Sequence, residues 1–190
     1  MTETVSVVNY GGGVNSLAML VGMHERLMVP DAIVFSDTRG EKPETYAHIE
    51  KLKLWLEAVG FPELTIVCRA DSERTKTGDA SLEDECLRLG TLPSRAYGYG
   101  TCADKWKIDP FKWWAQEHHA DSIVARAIGY DADEQYRARD HPDPKWPKWY
   151  PLLEWNWERD ACEAAAHRAG LPVPPKSACF FCPSSKKHEL

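Results

Sequence analysis

A short apolar run, "TVSVVNY", leads into three consecutive glycines at positions 11–13 and then directly into "VNSLAMLVGMHERLM". Val5, Val7 and Val8 read as a buried β-strand. Leu17, Leu20, Val21, His24, Leu27 and Met28 recur at helical spacing, with Pro30 as the stop. "DAIVFSD" is the next strand, so the chain opens as strand, glycine turn, helix, strand. Such a βαβ unit has parallel strands and a right-handed crossover, which leaves few folds open to it.

The alternation continues. Pro43 suits the first turn of a helix through "ETYAHIEKLKLWLEAVG", with Gly60 as its end. "LTIVC" reads as a third strand and "ADSIVARAIG" as a fourth. Between them, "KWKIDPFKWWAQEHH" is helical, and Pro110 must start, kink or divide it. The stretch from Arg69 to Gly100 carries one helix, Ser81 to Leu89, with Ser81 and Asp84 placed as a capping pair. "DADEQYRARDHPDPKWPKWYP" is long and irregular, "ERDACEAAAHRAG" is a helix ending at Gly170, and a proline-rich connector leads to "SACFFCP". The expected fold is a three-layer α/β/α sandwich on a mainly parallel sheet. Residues 1–140 form the α/β domain, and residues 141–190 an aromatic, Cys-x-x-Cys-bearing segment packed on it.

Bulk properties narrow the function. A chain of 190 residues suits one packed domain, and a net charge of −6 argues against loose, charge-driven nucleic-acid binding while leaving room for a local basic groove. No apolar run approaches the roughly 20 residues that span a bilayer. "MTETVSVV" lacks the basic and apolar stretches of a secretion signal, and the final "KHEL" without one reads as coincidence, so a cytoplasmic location and no membrane partner are expected. In that reducing setting the six cysteines read as metal ligands, reactive thiols or core residues rather than disulfides.

A strand-to-helix turn lies at the carboxyl edge of a parallel sheet, where open α/β folds bind ligands. Glycines there let backbone N–H groups curl around an anion, and the helix dipole adds to the attraction. Asn15 and Ser16 stand at the helix entrance. The order matches neither G-x-G-x-x-G nor a Walker loop, so a phosphate cradle and a plain tight turn both remain open on the glycines alone.

"YGGGVNSLAML" resembles the pyrophosphate loop, Ser-Gly-Gly-x-Asp-Ser, of PP-loop ATP pyrophosphatases and phosphoadenylyl-sulfate (PAPS) reductases, the adenine nucleotide alpha hydrolase-like proteins. Tyr10 stands at the usual first serine and Asn15 at the aspartate; Ser16 and two glycines match. "FSDTRGEKPETY", "TCADKWKIDPF" and "AIGYDADEQYR" resemble further motifs of the group, in its order. "YPLLEW" and "SACFFCP" resemble the ending of its compact, often phage-encoded members. The similarity covers nearly the whole chain.

The resemblance implies that Tyr10, Gly11, Gly12, Gly13, Asn15 and Ser16 hold the phosphates of ATP, or of PAPS or adenylyl sulfate (APS). It sets Asp37 toward Mg²⁺ or the nucleotide, Thr38 and Gly40 on the adenine side, and Gly129 at the nucleotide. Asp37 also has the bland reading of a turn residue. Lys105 and Lys107 flank Trp106 and suit a triphosphate or a sulfated substrate, or else are solvated helix charges. Arg126 sits in an apolar strand, where a charge needs a partner or ligand. Arg137 suits a phosphate clamp or a local salt bridge. Ser16, Asp37, Lys105 and Arg137 are the expected catalytic set.

Cys179-Phe-Phe-Cys182 has the spacing that lets both sulfurs reach one metal centre. Cys102 recurs with that pair in the compact relatives, and Cys162 is the natural fourth ligand, although a buried structural thiol fits it equally. Cys68 and Cys86 read as core. A [4Fe–4S] cluster is the first reading, four-thiolate zinc the second and a redox-active pair without metal the third. His118 and His119 read as a solvated helix end. The tryptophans of "KWPKWYPLLEWNW" read as packing residues, with base stacking as the alternative.

The group's shared reaction splits ATP into AMP and pyrophosphate, adenylating a substrate. Here that implies sulfur transfer to a small-molecule or nucleic-acid acceptor; a homodimer is compatible with it. A PAPS or APS reductase or sulfotransferase is the second expectation, disfavoured because no cysteine-bearing tail of the authentic reductases is seen. A non-catalytic nucleotide-binding module with structural zinc is the third.

Overall fold

The computed structural model describes residues 2–93, 101–138 and 143–186. Strands β1 (Thr4–Tyr10), β2 (Ala32–Asp37), β3 (Leu64–Cys68), β4 (Ile123–Ile128) and β5 (Lys148–Trp149) form one sheet in the order β3-β2-β1-β4-β5. Every pairing is parallel. The helices are α1 (Val14–Glu25), α2 (Pro43–Ala58), α3 (Leu82–Leu89), α4 (Thr101–Ala103), α5 (Asp109–His118), α6 (Pro151–Glu154) and α7 (Arg159–Arg168).

Strand alternation divides the core. Val8, Tyr10, Ile33 and Phe35 meet α1, α2, α6 and α7 on one face, whereas Val5, Val7, Val34 and Val124 meet Phe111 and Ala115 of α5 on the other. Full burial of side chains of this size contributes about 1.5–3 kcal/mol each. The three-layer α/β/α sandwich expected from the sequence is therefore the observed fold. No helix among the described residues is long and apolar enough to cross a membrane.

Helix α1 departs from the amphipathic reading. Ser16 through Met23 are all buried, because α7 and Trp155 cover the side turned away from the sheet. A Cβ on Gly22 would sit 2.9 Å from Cε3 of Trp155 and closer still to Cζ3, so the indole lies on bare helix backbone. The helix also stops earlier than Pro30. Leu27 takes a left-handed φ of 57°, and Leu27 N–H and Met28 N–H donate to the His24 and Met23 carbonyls in a Schellman closure made without glycine.

Elsewhere the local rules hold. Ser81 Oγ accepts from Asp84 N–H at 3.0 Å, and Gly90 ends α3 with φ 62°. Pro110 starts α5, and the turn before it, Asp104–Ile108, widens into a π-helix continuous with α4. The irregular region after β4 contains a 3₁₀ helix, Ala132–Arg137, together with β5 and α6, none of which the sequence pattern announces. Of the interleaved tryptophans, Trp146 packs on Phe111, while Trp149, Trp155 and Trp157 pack against the α1 core.

Two substitutions test this packing. Gly22→Val should destabilise the fold by about 2 kcal/mol or more, although valine has the better helix propensity. Leu27→Gly should stabilise it by about 1 kcal/mol by relieving the left-handed residue. Denaturant titration of both variants reads the two signs.

Candidate active site

The glycine turn joins β1 to α1 where the chain leaves β1 for β2 on one side while β4 lies on the other, the switch point at which parallel sheets open a crevice. Gly12 has φ +76°, and a Cβ there would lie 3.0 Å from Thr45 Cγ2 and 3.1 Å from Ser177 Oγ. The first turn of α1 has no side-chain cap and no acidic residue. Ser16 is buried and turns its hydroxyl back to the Gly13 carbonyl at 2.9 Å. The amides of this turn therefore have no competing side-chain acceptor, which suits an anion.

Gly129 follows β4 directly. A Cβ on it would stand 3.0 Å from the Asn15 carbonyl carbon and oxygen and from the Ser16 nitrogen, so backbone meets backbone there. That approach places the next segment on Asn15. Its side-chain amide donates to Asp131 Oδ2 at 2.9 Å and Glu134 Oε2 at 3.1 Å. Asp131 Oδ1 accepts from Glu134 N–H at 3.0 Å, and the Glu134 carboxylate also pairs with Arg137. Arg137 lies over the Tyr130 ring at 4.5 Å, and that ring stacks on Tyr150 at 5.6 Å. Asn15, unlike the aspartate of the resembled loop, thus serves as a donor between two acids.

Asp37, at the end of β2, accepts from Arg39 N–H at 2.7 Å and from Tyr46 hydroxyl at 2.8 Å through one oxygen. Its turn-forming role is real, and the carboxylate stays partly exposed. Thr38 and Gly40 organise the carboxyl-terminal segment. Thr38 Oγ1 lies 3.2 Å from Cys179 Sγ and 3.4 Å from Glu41 Oε1, and a Cβ on Gly40 would collide with the Phe181 ring. Glu41 bridges antiparallel to Cys179, Lys42 N–H donates to the Ala178 carbonyl at 3.3 Å, and Ser177 Oγ donates to the Gly11 carbonyl at 2.5 Å. One segment thereby touches both the cysteine region and the glycine turn.

Sequence reasoning missed Glu41. Its side chain is fully buried, Lys107 Nζ donates to Oε1 at 2.7 Å, and Oε2 has no partner among the described residues. Partial burial works against the Lys107 charge, but Glu41, with the Cys179 and Cys102 thiols nearby, holds its pKa above the ordinary lysine value. An acid before Pro43 carries no mark of burial in the sequence, so the signal was absent. Lys105, by contrast, is engaged by Glu85, to which Trp106 Nε1 also donates, rather than standing free for a phosphate.

Arg126 is 9% exposed in β4, lies over the Phe111 ring at 5.9 Å and leaves Nε without a partner among the described residues; burial lowers its pKa. It faces the α5 layer. Tyr10 is also buried, with no partner for its hydroxyl among the described residues and its pKa raised by burial. It packs on Phe35 beneath the turn, so the aromatic ring supports the loop from below.

Cys102, Cys179 and Cys182 pack on one apolar cluster with Trp106, Leu82 and Phe181. Cys182 N–H closes a turn on the Cys179 carbonyl at 3.0 Å. Burial raises the Cys102 thiol, with Cys182 adding to it, and pushes Cys179 to about 11. Cys162 is not brought to this group. It is fully buried on α7 in the α1 core, a different cluster from that of the other cysteines, and burial pushes its thiol to about 12. Among the described residues no three Cys, His, Asp or Glu side chains already surround a common point as a metal site. His118 stacks on Trp114 at 5.1 Å and His119 meets its edge at 5.4 Å, as helix-end packing residues.

A parallel α/β domain with a glycine turn at its switch point is the class of architecture these features define. More narrowly, it is the adenine nucleotide alpha hydrolase-like fold. The chain matches a PAPS reductase from Candida auris in a phosphate complex with TM-score 0.55 and 18% identity, over 92% of this chain and 76% of that one. It matches the U34-tRNA thiolase NcsA from Methanococcus maripaludis, with its [4Fe–4S] cluster, at TM-score 0.54 and 18% identity, over 99% of this chain and 63% of that one. The chain thus spans less than two thirds of the thiolase. No family model and no curated protein sequence matches it.

Asn15→Asp would set a third carboxylate against Asp131 and Glu134. Like charge raises one folded-state carboxyl pKa above its unfolded value near ~4, so the folded state holds the proton longer. Stability relative to the native sequence should fall as pH rises from about 4 to 7, by about 1–3 kcal/mol, in denaturant titrations across that range.

Proposed function

We propose that this protein is a PP-loop enzyme that adenylates an oxygen of its substrate with ATP, releasing pyrophosphate, and that a sulfide-level sulfur nucleophile then attacks the carbon bearing that oxygen, breaking the C–O bond and expelling AMP. The observation that carries this reading is the glycine turn at the switch point of the sheet, pressed by Gly129 from behind and without a side-chain cap or an acidic residue in the first turn of its helix.

In the reaction the substrate oxygen attacks the α-phosphorus, the bond from that phosphorus to the bridging α–β oxygen breaks, and the electron pair leaves with pyrophosphate. The Gly11–Gly13 and Ser16 amides would take up the developing charge on pyrophosphate, which is the electrostatic form of transition-state stabilisation. Asp131 and Glu134, bonded to Asn15 at the turn, are the carboxylates that would hold Mg²⁺, which would supply charge neutralisation for the polyphosphate. The Asn15 amide, donating to both acids, offsets their mutual repulsion.

The cysteine region fits a polynuclear iron–sulfur group. Cys102, Cys179 and Cys182 would hold it, in an apolar setting that limits water, with the Lys107 charge compensating thiolates. When bound, such a group supplies electron transfer or a site at which sulfide is held. The second reading, a reductase or sulfotransferase acting on a ready-made adenylyl sulfate, uses the same phosphate turn and is supported by the phosphate complex of the PAPS reductase of like fold.

Pyrophosphate release from ATP separates the two. The adenylating reading expects release that requires Mg²⁺ and falls about a hundredfold in Gly12→Val, the scale for misplacing aligned backbone donors. Binding of adenylyl sulfate without release from ATP would favour the second reading. Unchanged ATP affinity in Gly12→Val would overturn the phosphate-loop assignment for both.

A further inference from the structure

We infer that Cys86, on α3, is the fourth thiolate of the centre formed with Cys102, Cys179 and Cys182, so that four sulfurs enclose one iron–sulfur group and leave no iron open. This rests on the reading that these cysteines hold such a group, and it changes what the group can do.

Cys86 packs on the same apolar cluster as the other three. With Cys102 it lines a cavity of about 170 Å³ walled by Leu82 and Leu89. It also lines the space bounded by Phe180 and Phe181, the two residues between Cys179 and Cys182. Cys86 therefore borders both the helix that carries Cys102 and the turn that carries the terminal pair.

Helix α3 is held in that position by independent contacts. Leu82 N–H donates to the Thr38 carbonyl at 3.0 Å, on the loop that also contacts Cys179. Glu85, one residue before Cys86, is gripped by Lys105 and Trp106 just after Cys102. Arg88 pairs with Asp79 through two contacts of 2.7 Å. The helix cannot drift from Cys102 without breaking buried polar contacts.

The other two cysteines have different neighbours. Cys162 lies in the α1–α7 core. Cys68 is a buried member of the same cluster, but it opens to a separate cleft with Trp113 and not to the cavity that Cys86 shares with Cys102. Tetrahedral zinc with Zn–S bonds near 2.3 Å would need sulfurs roughly 3.8 Å apart around one point. Among the described residues no three such ligands surround one point, so the structure shows no preformed mononuclear site. A group ligated at every iron exchanges electrons or braces the fold; it takes up sulfide only if one thiolate leaves.

The test uses the full chain purified anaerobically, with iron and sulfide counts, electron paramagnetic resonance of the reduced protein, and cyanide as a probe for an open iron. The native protein should carry a cluster whose spectrum cyanide leaves unchanged. Cys86→Ser and Cys86→Ala should lose about one iron in four, or gain a cyanide-dependent spectral shift. Cys162→Ala and Cys68→Ser should keep the native count and spectrum, with circular dichroism confirming the fold of each variant. A native protein whose spectrum responds to cyanide, or Cys86 variants identical to it, overturns the inference while leaving the three-cysteine reading intact. Stoichiometric zinc without sulfide, or no metal at all, overturns that underlying reading together with the inference.

Discussion

Two stretches of main chain meet without side chains between them: the exit of β4 at Gly129 and the first turn of α1 at Asn15 and Ser16. Much of the site depends on that contact. It brings Asp131 and Glu134 within hydrogen-bond reach of the Asn15 amide, and through Glu134 it orients Arg137 and the Tyr130–Tyr150 stack. A methyl group at Gly129 would push the strand exit from the helix, and the acidic pair would lose its shared donor. The glycine turn beneath is supported in turn by the Tyr10 and Phe35 rings.

The fold was legible because its signals are local. Apolar β-branched runs, the Pro43 and Pro110 helix starts, and the Ser81 cap each act over a few residues and appear as read. What failed did so for tertiary reasons. The periodicity of α1 predicted one buried face, but α7 returns from far along the chain to cover the other, and the left-handed Leu27 ends the helix without the glycine or proline that usually marks such a stop. Strand β5 is two residues long and exists because β4 offers a free edge, which no pattern within "KWPKWYP" reveals.

The site divides along the same line. Residues whose role is backbone geometry, such as Gly12 and Gly129, were visible as glycines in a turn. Residues whose role depends on pairing were not: Lys105 and Lys107 look alike in sequence, yet one is engaged by Glu85 and the other by Glu41 beside the thiols. The sequence reading took Cys162 as the fourth ligand and Cys86 as core, yet Cys162 lies in the α1–α7 core and Cys86 packs with Cys102, Cys179 and Cys182. Only the packing of α3 and α7 on different layers separates them.

The segment from Ser177 to Cys182 forms no strand of the sheet. It is tied by the Ser177 hydroxyl to Gly11, by main-chain bonds to Gly40 and Lys42, and by the Phe181 ring against Gly40. A transient lifting of this strip would bare the sulfurs and unroof the glycine bend in one stroke. Two chemically unlike regions would then share a single breathing motion, and whatever clamps one end of the strip also quiets the other.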